Sequence, residues 1–169
     1  IFKNLASISA AIVLSFACMF NTTAAYASDM GVTWNNATLP SGVAGLDSIA
    51  FGNGSFIGVN RHGEILRSTD GKVWTSISNN ASITWNAVSY GGNTFVALGN
   101  DGNNPVVSRS TDGGSTFSTP VAMSGSWSAY DFIALTYGAG TFVAIDAKDG
   151  NNFTAVSTDN GQTWAQGED

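Results

Sequence analysis

Residues 135–164 read LTYGAGTFVAIDAKDGNNFTAVSTDNGQTW. An apolar run ends in Tyr137, turns through two glycines and continues as a second apolar run. A further turn leads to a third run, which ends in a Ser-Thr-Asp motif at 157–159 and closes on Trp164. Short apolar runs separated by glycine-rich turns are typical of antiparallel strands joined by hairpins.

Two other segments repeat this unit. Residues 48–74 and residues 88–117 have the same order of strand, aromatic residue, glycine turn, Phe, strand and Ser-Thr-Asp. A partial fourth copy occupies residues 29–34, and aromatic residues close the four copies at positions 34, 74, 117 and 164. A period of about 40–50 residues with four short strands indicates a propeller blade. The sequence therefore predicts an all-β fold, a partial β-propeller of about three four-stranded blades plus one leftover N-terminal strand.

Strand positions follow from the same pattern. The blades are predicted at about 46–78, 85–120 and 131–167. In the middle blade the strands are predicted at Asn86–Tyr90, Thr94–Gly99, Pro105–Ser110 and Thr116–Thr119. The second strand of each unit is apolar at consecutive positions. This pattern predicts burial on both faces, as in a sheet that lies between two neighbouring sheets.

Composition and charge exclude one class of partner. Charged residues make up 11 % of the chain and hydrophobic residues 43 %, and the formal net charge is −6. Proteins that bind nucleic acid need clustered positive charge to contact phosphates. We therefore expect no nucleic-acid partner.

The N-terminal segment, residues 1–27, has the three-part order of a secretory signal peptide. Lys3 precedes an uncharged run over residues 5–20, and the small residues Ala25 and Ala27 frame a cleavage site. The run is shorter than the ~20 apolar residues that a membrane-spanning helix requires. We therefore predict cleavage after Ala27, a mature propeller domain over 28–169, a secreted or periplasmic location, and no stable membrane span after cleavage.

Cys18 is the only cysteine and lies within the uncharged run. A lipoprotein signal would place Leu three positions before the acylated cysteine, but Ser15 stands there. Lipidation at Cys18 is therefore the less favoured alternative. After cleavage at Ala27 the mature chain would have no thiol.

Three units and one extra strand do not close a ring, because propellers have about four to eight blades. The extra strand, at residues 33–38, corresponds to the last strand of a blade whose other strands are missing. In many propellers an N-terminal strand completes the final blade, which removes an open sheet edge. We expect the native protein to continue past Asp169 with further blades; the alternatives are an open stack of three blades or a ring closed by self-association.

The Ser-Thr-Asp motifs resemble the Asp-box (BNR repeat), the S-x-D-x-G-x-T-W turn of the sialidase superfamily. The match is complete at 157–164, has Phe in place of Trp at 110–117, and lacks one residue at 68–74. The resemblance covers residues 28–169, and exported YVTN and photosystem II assembly-factor-like propellers share such repeats. The residues that match the motif are Asp29, Gly31, Trp34, Ser68, Asp70, Trp74, Ser110, Asp112, Gly114, Phe117, Ser157, Asp159, Gly161 and Trp164.

The resemblance implies a structural role for these residues, because the Asp-box of that family is a turn away from the catalytic mouth. A sialidase-like site would also need an arginine triad, and the chain contains Arg61, Arg67 and Arg109. Arg67 and Arg109 each directly precede a motif, which indicates a shared structural role instead. We therefore predict no catalytic residue in this chain.

No cofactor or metal site is predicted. A single His62 cannot form a zinc site without cysteine or further histidine, and the Asp and Asn residues at 101–104 lack a complete calcium loop. Trp85 and Trp127 stand outside the motifs, just before the first strands of the second and third units. Two roles remain open for them, stacking against a ligand at the central mouth or packing between blades.

Three functional hypotheses fit these observations. The first is an exported, non-catalytic propeller that binds a protein or glycan, since the sequence combines a strong repeat with an export signal but shows no acid, base and nucleophile together. The second is part of a sialidase-like exo-glycosidase whose catalytic residues lie outside this chain. The third is a propeller like the photosystem II assembly factors, which use basic surface patches. The acidic charge of the mature chain weighs against the third.

Overall fold

The computed structural model describes residues 35–125, 127, 131–146 and 153–167. The predicted signal peptide with Cys18 lies outside the described residues, as does the partial copy of the motif with Asp29, Gly31 and Trp34. All described strands belong to one compact unit, Ala37–Asp169.

The described part of the chain consists of strands and turns without a helical residue. The strands are β1 (Ser48–Gly52), β2 (Ser55–Val59), β3 (Glu64–Ser68), β4 (Thr75–Asn79), β5 (Thr84–Gly91), β6 (Thr94–Asn100), β7 (Pro105–Ser110), β8 (Val121–Ala122), β9 (Phe132–Gly138), β10 (Thr141–Asp146), β11 (Thr154–Ser157) and β12 (Ala165–Gln166). They form three antiparallel four-stranded sheets in sequence order, β1 to β4, β5 to β8 and β9 to β12. The predicted all-β architecture with three four-stranded blades is confirmed.

Each sheet begins with a two-residue hairpin. In the first hairpin Asn53 and Gly54 have φ angles of 46° and 73°, and in the second Gly92 and Asn93 have φ angles of 53° and 61°. Positive φ at both turn positions matches the twist of the flanking strands, and Asn and Gly adopt it at low cost. The glycine turns of the repeat therefore fix the pairing of the first two strands.

The fourth strand of the middle sheet was predicted at Thr116–Thr119, and this prediction is wrong. The strand lies at Val121–Ala122, where Val121 pairs with Val107. Ser118 does contact β7, and its N–H donates to the carbonyl of Arg109 at 2.8 Å, but the N–H of Arg109 donates at 3.0 Å to the Ser118 hydroxyl and not to its carbonyl. Pro120 has no N–H to donate to a ladder. For these reasons, regular pairing between β7 and β8 begins only after Pro120.

The sheets stack face to face, and their first strands are neighbours. One apolar cluster lies between the first and second sheets and consists of Ile57, Val59, Ile65, Ile83, Trp85, Val88, Phe95, Ala97 and Val106. A second cluster lies between the second and third sheets and consists of Val96, Leu98, Val107, Met123, Trp127, Phe132, Phe142, Ala144, Ala155 and Trp164. Adjacent residues of β6 and β7 contribute to opposite clusters, because side chains alternate across a strand. The middle sheet is therefore covered on both faces.

A repeated contact joins neighbouring sheets, in which an aromatic knob (Tyr90 or Tyr137) rests on a glycine socket (Gly52 or Gly91). A Cβ atom added to Gly52 would lie 2.1 Å from the ring of Tyr90, and one added to Gly91 would lie 2.0 Å from the ring of Tyr137. Both distances are too short for any side chain. Glycine is required at these two positions because the ring occupies the space of a Cβ atom.

The predicted burial of the second strands depends on the neighbouring sheet. Every residue of β6 from Thr94 to Gly99 is buried, as predicted. In β10 alternate residues are covered less, and Ile145 is 42 % exposed. The expectation of two buried faces is therefore wrong for β10, because no described residue forms a sheet over its outer face.

The leftover strand predicted at 33–38 lies partly outside the described residues. Its described part forms one isolated parallel bridge between Thr38 and Val73. The N–H of Thr38 donates to the carbonyl of Lys72 at 2.7 Å, and the N–H of Trp74 donates to the carbonyl of Thr38 at 3.0 Å. The segment thus lies along the turn that precedes β4.

The structure also bears on membrane insertion. Within the described ranges, no helix has the length and apolar character needed to cross a bilayer.

Candidate functional site

The Ser-Thr-Asp motifs form turns between the third and fourth strands of each sheet. In the third turn the hydroxyl of Ser157 donates to Asp159 at 2.8 Å and accepts the N–H of Gly161 at 2.9 Å. The carboxylate of Asp159 accepts the N–H of Thr163 at 2.9 Å and its hydroxyl at 2.6 Å. The indole N–H of Trp164 donates to the carbonyl of Gly161 at 3.3 Å. Each polar side chain is thus used to hold the backbone of the turn.

The second turn has the same geometry. Ser110 donates to Asp112 at 2.7 Å and accepts the N–H of Gly114 at 2.9 Å. Asp112 accepts the hydroxyl of Thr116 at 2.6 Å. The aromatic residue of this turn, Phe117, packs against the cluster between the first two sheets.

The first turn is one residue shorter but uses the same atoms. Ser68 donates to Asp70 at 3.0 Å and accepts the N–H of Gly71 at 2.9 Å. Asp70 accepts the N–H of Val73 at 3.0 Å, and the indole of Trp74 donates to the carbonyl of Gly71 at 3.2 Å.

These hydrogen bonds keep the three aspartates ionised. Burial opposes ionisation of Asp159, but hydrogen bonds, the strongest from Thr163, outweigh it and lower the pKa to about 2. Hydrogen bonds from Thr116 hold the pKa of Asp112 well below its usual range. Backbone N–H groups of its own turn likewise lower the pKa of Asp70. A carboxylate that is saturated with turn hydrogen bonds has little capacity left for a ligand.

Two of the turns also contact the preceding sheet. A Cβ atom on Gly114 would lie 2.3 Å from Ile57, and one on Gly161 would lie 2.8 Å from Val96. The turns are therefore part of the packing between sheets, which favours a structural role for the motif residues.

Trp85 and Trp127 are core residues in this structure. Trp85 is 1 % exposed, and its indole N–H donates to the carbonyl of Gly63 at 3.3 Å. Trp127 is 6 % exposed and packs edge-on against Phe132 with ring centroids 5.5 Å apart. Neither indole presents a face on which a sugar ring could stack. The ligand-stacking alternative for both residues is therefore corrected to packing between sheets.

A crevice beside Arg109 is the first candidate binding site. It has a volume of about 340 Å³ and is lined by Val107, Arg109, Ser118, Thr119, Val121, Gly161 and Gln162. It lies between β7 and β8 of the middle sheet and the motif turn of the third sheet. A cationic group, hydroxyl and amide groups and two valines therefore meet at an opening between two sheets.

Arg109 differs from its repeat-equivalent Arg67. The guanidinium of Arg67 donates to Ser55 Oγ at 2.7 Å and to the carbonyl of Gly113 at 3.4 Å. The Nε atom of Arg109 is buried and has no hydrogen-bond partner among the described residues. A buried donor without an acceptor costs about 1–3 kcal/mol. The crevice is therefore lined by a residue whose buried Nε donor has no acceptor among the described residues.

A smaller cleft lies where β2 ends and β3 begins. It has a volume of about 170 Å³ and is lined by Ala44, Gly45, Leu46, Asp47, Asn60 and His62. Asn60 is 1 % exposed and donates to the carbonyl of Gly45 at 3.0 Å and to Glu64 at 2.6 Å. The N–H of Arg61 donates to Asp47 at 2.9 Å. The side chains of Asn60 and Asp47 in this cleft therefore already have hydrogen-bond partners within the chain.

The described residues offer no metal site. No cluster of three or more His, Cys, Asp and Glu side chains is found within them. Asp101 accepts the N–H groups of Asn103 and Asn104 at 2.9 and 2.7 Å, and these bonds lower its pKa. The oxygens considered for calcium therefore hold the hairpin between β6 and β7. The repeat predicts the same role for Arg67 and Arg109, and the positions of their acceptors are what distinguish them.

Comparison with known proteins identifies the fold. No family model and no curated protein matches the chain. The structure "YCF48 bound to D1 peptide" is similar with a TM-score of 0.56 and 18 % identity, over 72 % of this chain and 40 % of that chain. YCF48 from Cyanidioschyzon merolae is similar with a TM-score of 0.59 and 22 % identity, over 80 % of this chain and 40 % of that chain.

A glycoside hydrolase is similar as well. The GH43B protein of a Bacteroides ovatus xyloglucan locus gives a TM-score of 0.51 at 15 % identity, over 71 % of this chain and 29 % of that chain. The chain spans about 40 % of the length of the YCF48 structures that it matches. A fold can carry unrelated functions, so these similarities define architecture alone. The chain has the fold of a partial β-propeller.

Proposed function

We propose that this chain is an exported, non-catalytic β-propeller that binds a protein ligand, and that the Arg109 crevice holds a carboxylate of that ligand. The observation that carries the proposal is the buried Nε of Arg109, which lacks a partner among the described residues while its repeat-equivalent Arg67 has two. Carboxylates are the acceptors that match the fork of N–H groups on a guanidinium.

The lining of the crevice suits a peptide. Ser118, Thr119 and Gln162 supply groups that can bond to a peptide backbone, and Val107 and Val121 supply apolar contact. Val121 is 55 % exposed, so apolar surface is available at the opening. The YCF48 structure named above contains a D1 peptide, which supports the proposal that a propeller of this kind binds a protein segment.

The acidic charge of the chain weighs only weakly against an acidic ligand. Charges farther away than the Debye length, about 8 Å at physiological ionic strength, are largely screened. The contact at Arg109 is short-range and partly buried, so it is screened less. We expect an affinity that falls when salt is added.

Binding of fluorescent peptides tests this proposal. The probes are a panel of short peptides with Asp or Glu residues and the same peptides with Asn or Gln in their place. We expect the acidic members to bind, and Arg109→Gln to weaken binding about tenfold or more, because a charge-assisted hydrogen bond contributes about 1.5–3 kcal/mol. Arg61→Gln is the matched control, because the Arg61 side chain is exposed and lies 4.0 Å from Asp47, away from the Arg109 crevice lining.

Other outcomes would contradict the proposal. Equal binding by the wild type and Arg109→Gln would remove the crevice as the site. Binding to a glycan panel in place of peptides would favour a glycan ligand, the other class that the sequence allows. Hydrolysis of a glycan without retention would favour the glycosidase alternative.

A further inference from the structure

The contact between neighbouring sheets has two parts, an aromatic knob and a glycine socket. Each outer face of the described stack carries one of these two parts. Inside the stack each knob rests on the socket of the preceding sheet, Tyr90 on Gly52 and Tyr137 on Gly91. The first sheet carries a knob at the same repeat position, Phe51. The third sheet carries a socket at the same repeat position, Gly138. Neither has a partner sheet among the described residues.

The knob of the first sheet already has the geometry of the covered knobs. Phe51 packs on Phe56 with ring centroids 4.6 Å apart and an interplanar angle of 47°. The covered pair of Tyr90 and Phe95 has the same separation, 4.6 Å, and an angle of 51°. Phe51 is 59 % exposed and its neighbour Ile49 is 54 % exposed. The first sheet therefore presents a preformed apolar surface to solvent.

The socket of the third sheet is equally preformed. A Cβ atom added to Gly138 would meet nothing within 4 Å, whereas Gly52 and Gly91 leave no room for one. Around it lie Val143, which is half-buried, and Ile145, which is 42 % exposed. Their equivalents in the middle sheet, residues 96 and 98, are 0 % exposed because the third sheet covers them. The outer face of the third sheet thus has the shape and composition that accept an aromatic knob.

We propose that the chain self-associates head to tail, with the Phe51 knob of one copy on the Gly138 socket of a second copy. We choose a second copy as the partner because its contact would repeat the two knob-and-socket contacts inside the stack. Each open face has its complementary surface on the same chain. A head-to-tail interface closes into a ring where its rotation permits. The three described sheets of each of two copies make six, and propellers have about four to eight blades.

Self-association is tested by light scattering coupled to size-exclusion chromatography of the full chain, up to about 1 mM, where even weak association is populated. We expect a dimer for the wild type and a monomer for Phe51→Asp and for Gly138→Leu. Phe51 is exposed and Gly138 has open space, so both variants keep the fold, which the thermal unfolding midpoint verifies. Leu at residue 138 fills the socket.

Mixing the two variants tests the direction of the contact. Phe51→Asp retains an intact socket and Gly138→Leu retains an intact knob, so their mixture is expected to form a heterodimer with one interface. A wild type that stays monomeric at every concentration would overturn the proposal and leave the open faces to further sheets of a longer polypeptide. Dimers that survive Gly138→Leu but not Phe51→Asp would indicate a knob-to-knob contact and would overturn it as well.

Discussion

The second strands of the middle and third sheets share one sequence pattern but have different surroundings. Residues 94–99 of β6 are all buried, whereas β10 leaves Ile145 42 % exposed and Val143 half-buried. The equivalents in β6, Leu98 and Val96, are 0 % exposed. The difference shows that burial in this fold is decided by the neighbouring sheet as much as by the strand itself. Stability should therefore differ between equivalent positions of the repeat.

The largest difference is expected for the central phenylalanine of the repeat. Phe95→Ala empties a fully buried position and should cost about 3–5 kcal/mol of unfolding free energy. Phe56→Ala removes the equivalent ring, which is half-buried on the outer face, and should cost roughly half as much. Urea unfolding of the monomeric chain measures both values. Equal losses would show that the first sheet is covered to the same degree as the middle one.

A smaller difference is expected at the sockets. Gly91→Ala places a Cβ atom 2.0 Å from the ring of Tyr137 and should cost about 1–3 kcal/mol through overpacking. Gly138→Ala is its matched control, because a Cβ atom added to Gly138 would meet nothing within 4 Å. Alanine also lowers the conformational entropy of the unfolded chain relative to glycine. This variant should be neutral or stabilise by about 0.4–1 kcal/mol. The thermal unfolding midpoint in dilute solution distinguishes the two variants. A destabilised Gly138→Ala would mean that the socket is occupied in the monomer.

The smallest difference concerns the acid sensitivity of the turns. Asp159 has a pKa of about 2 in the folded chain against an ordinary value of 3.8, so its stabilisation is complete above pH 3.8 and is lost as the pH falls toward 2. Asp159→Asn should remove this part of the acid dependence. The change should be less than about 1 kcal/mol, because Asp159 is only half-buried and solvent screens its interactions.

Asp70→Asn provides the comparison for that measurement. Its pKa is also lowered, but Gly71 of its turn lies near Phe56 of its own sheet and not near a preceding sheet. We expect a smaller loss of stability at pH 7 for Asp70→Asn than for Asp159→Asn. The unfolding free energy between pH 2 and pH 7 tests this, and the reverse order would contradict a packing role for the third turn.

The repeat made most of the fold predictable. Glycine turns, Phe and consecutive apolar residues recur at fixed positions, so the strands Thr94–Gly99 and Pro105–Ser110 were predicted within a residue of those observed. The fourth strand was misplaced because Pro120 interrupts pairing with β7, while the local residues favour strand on both sides of it. The chemistry of the turns was predictable too, since Ser and Asp at that spacing can accept hydrogen bonds from nearby backbone N–H groups.

The candidate site was less predictable, because it depends on differences between equivalent positions. Arg67 and Arg109 have the same place in the repeat, yet Arg67 reaches Ser55 and a motif-turn carbonyl while the Nε of Arg109 does not reach a described acceptor. Trp85 lies where a ligand-stacking residue would lie, yet the first sheet covers it. Contacts across sheets decide both cases, and the repeat pattern contains no information about them.

Amide hydrogen exchange of the second strands tests the stacking of the sheets most directly, in a chain kept monomeric by Phe51→Asp. Opening of β6 requires both interfaces to separate, whereas opening of β10 requires only one. We expect the amides of β6 to exchange most slowly, near the limit set by global unfolding, and those of β10 to exchange faster. Exchange of β10 as slow as that of β6 would contradict the face-to-face stack with a covered middle sheet.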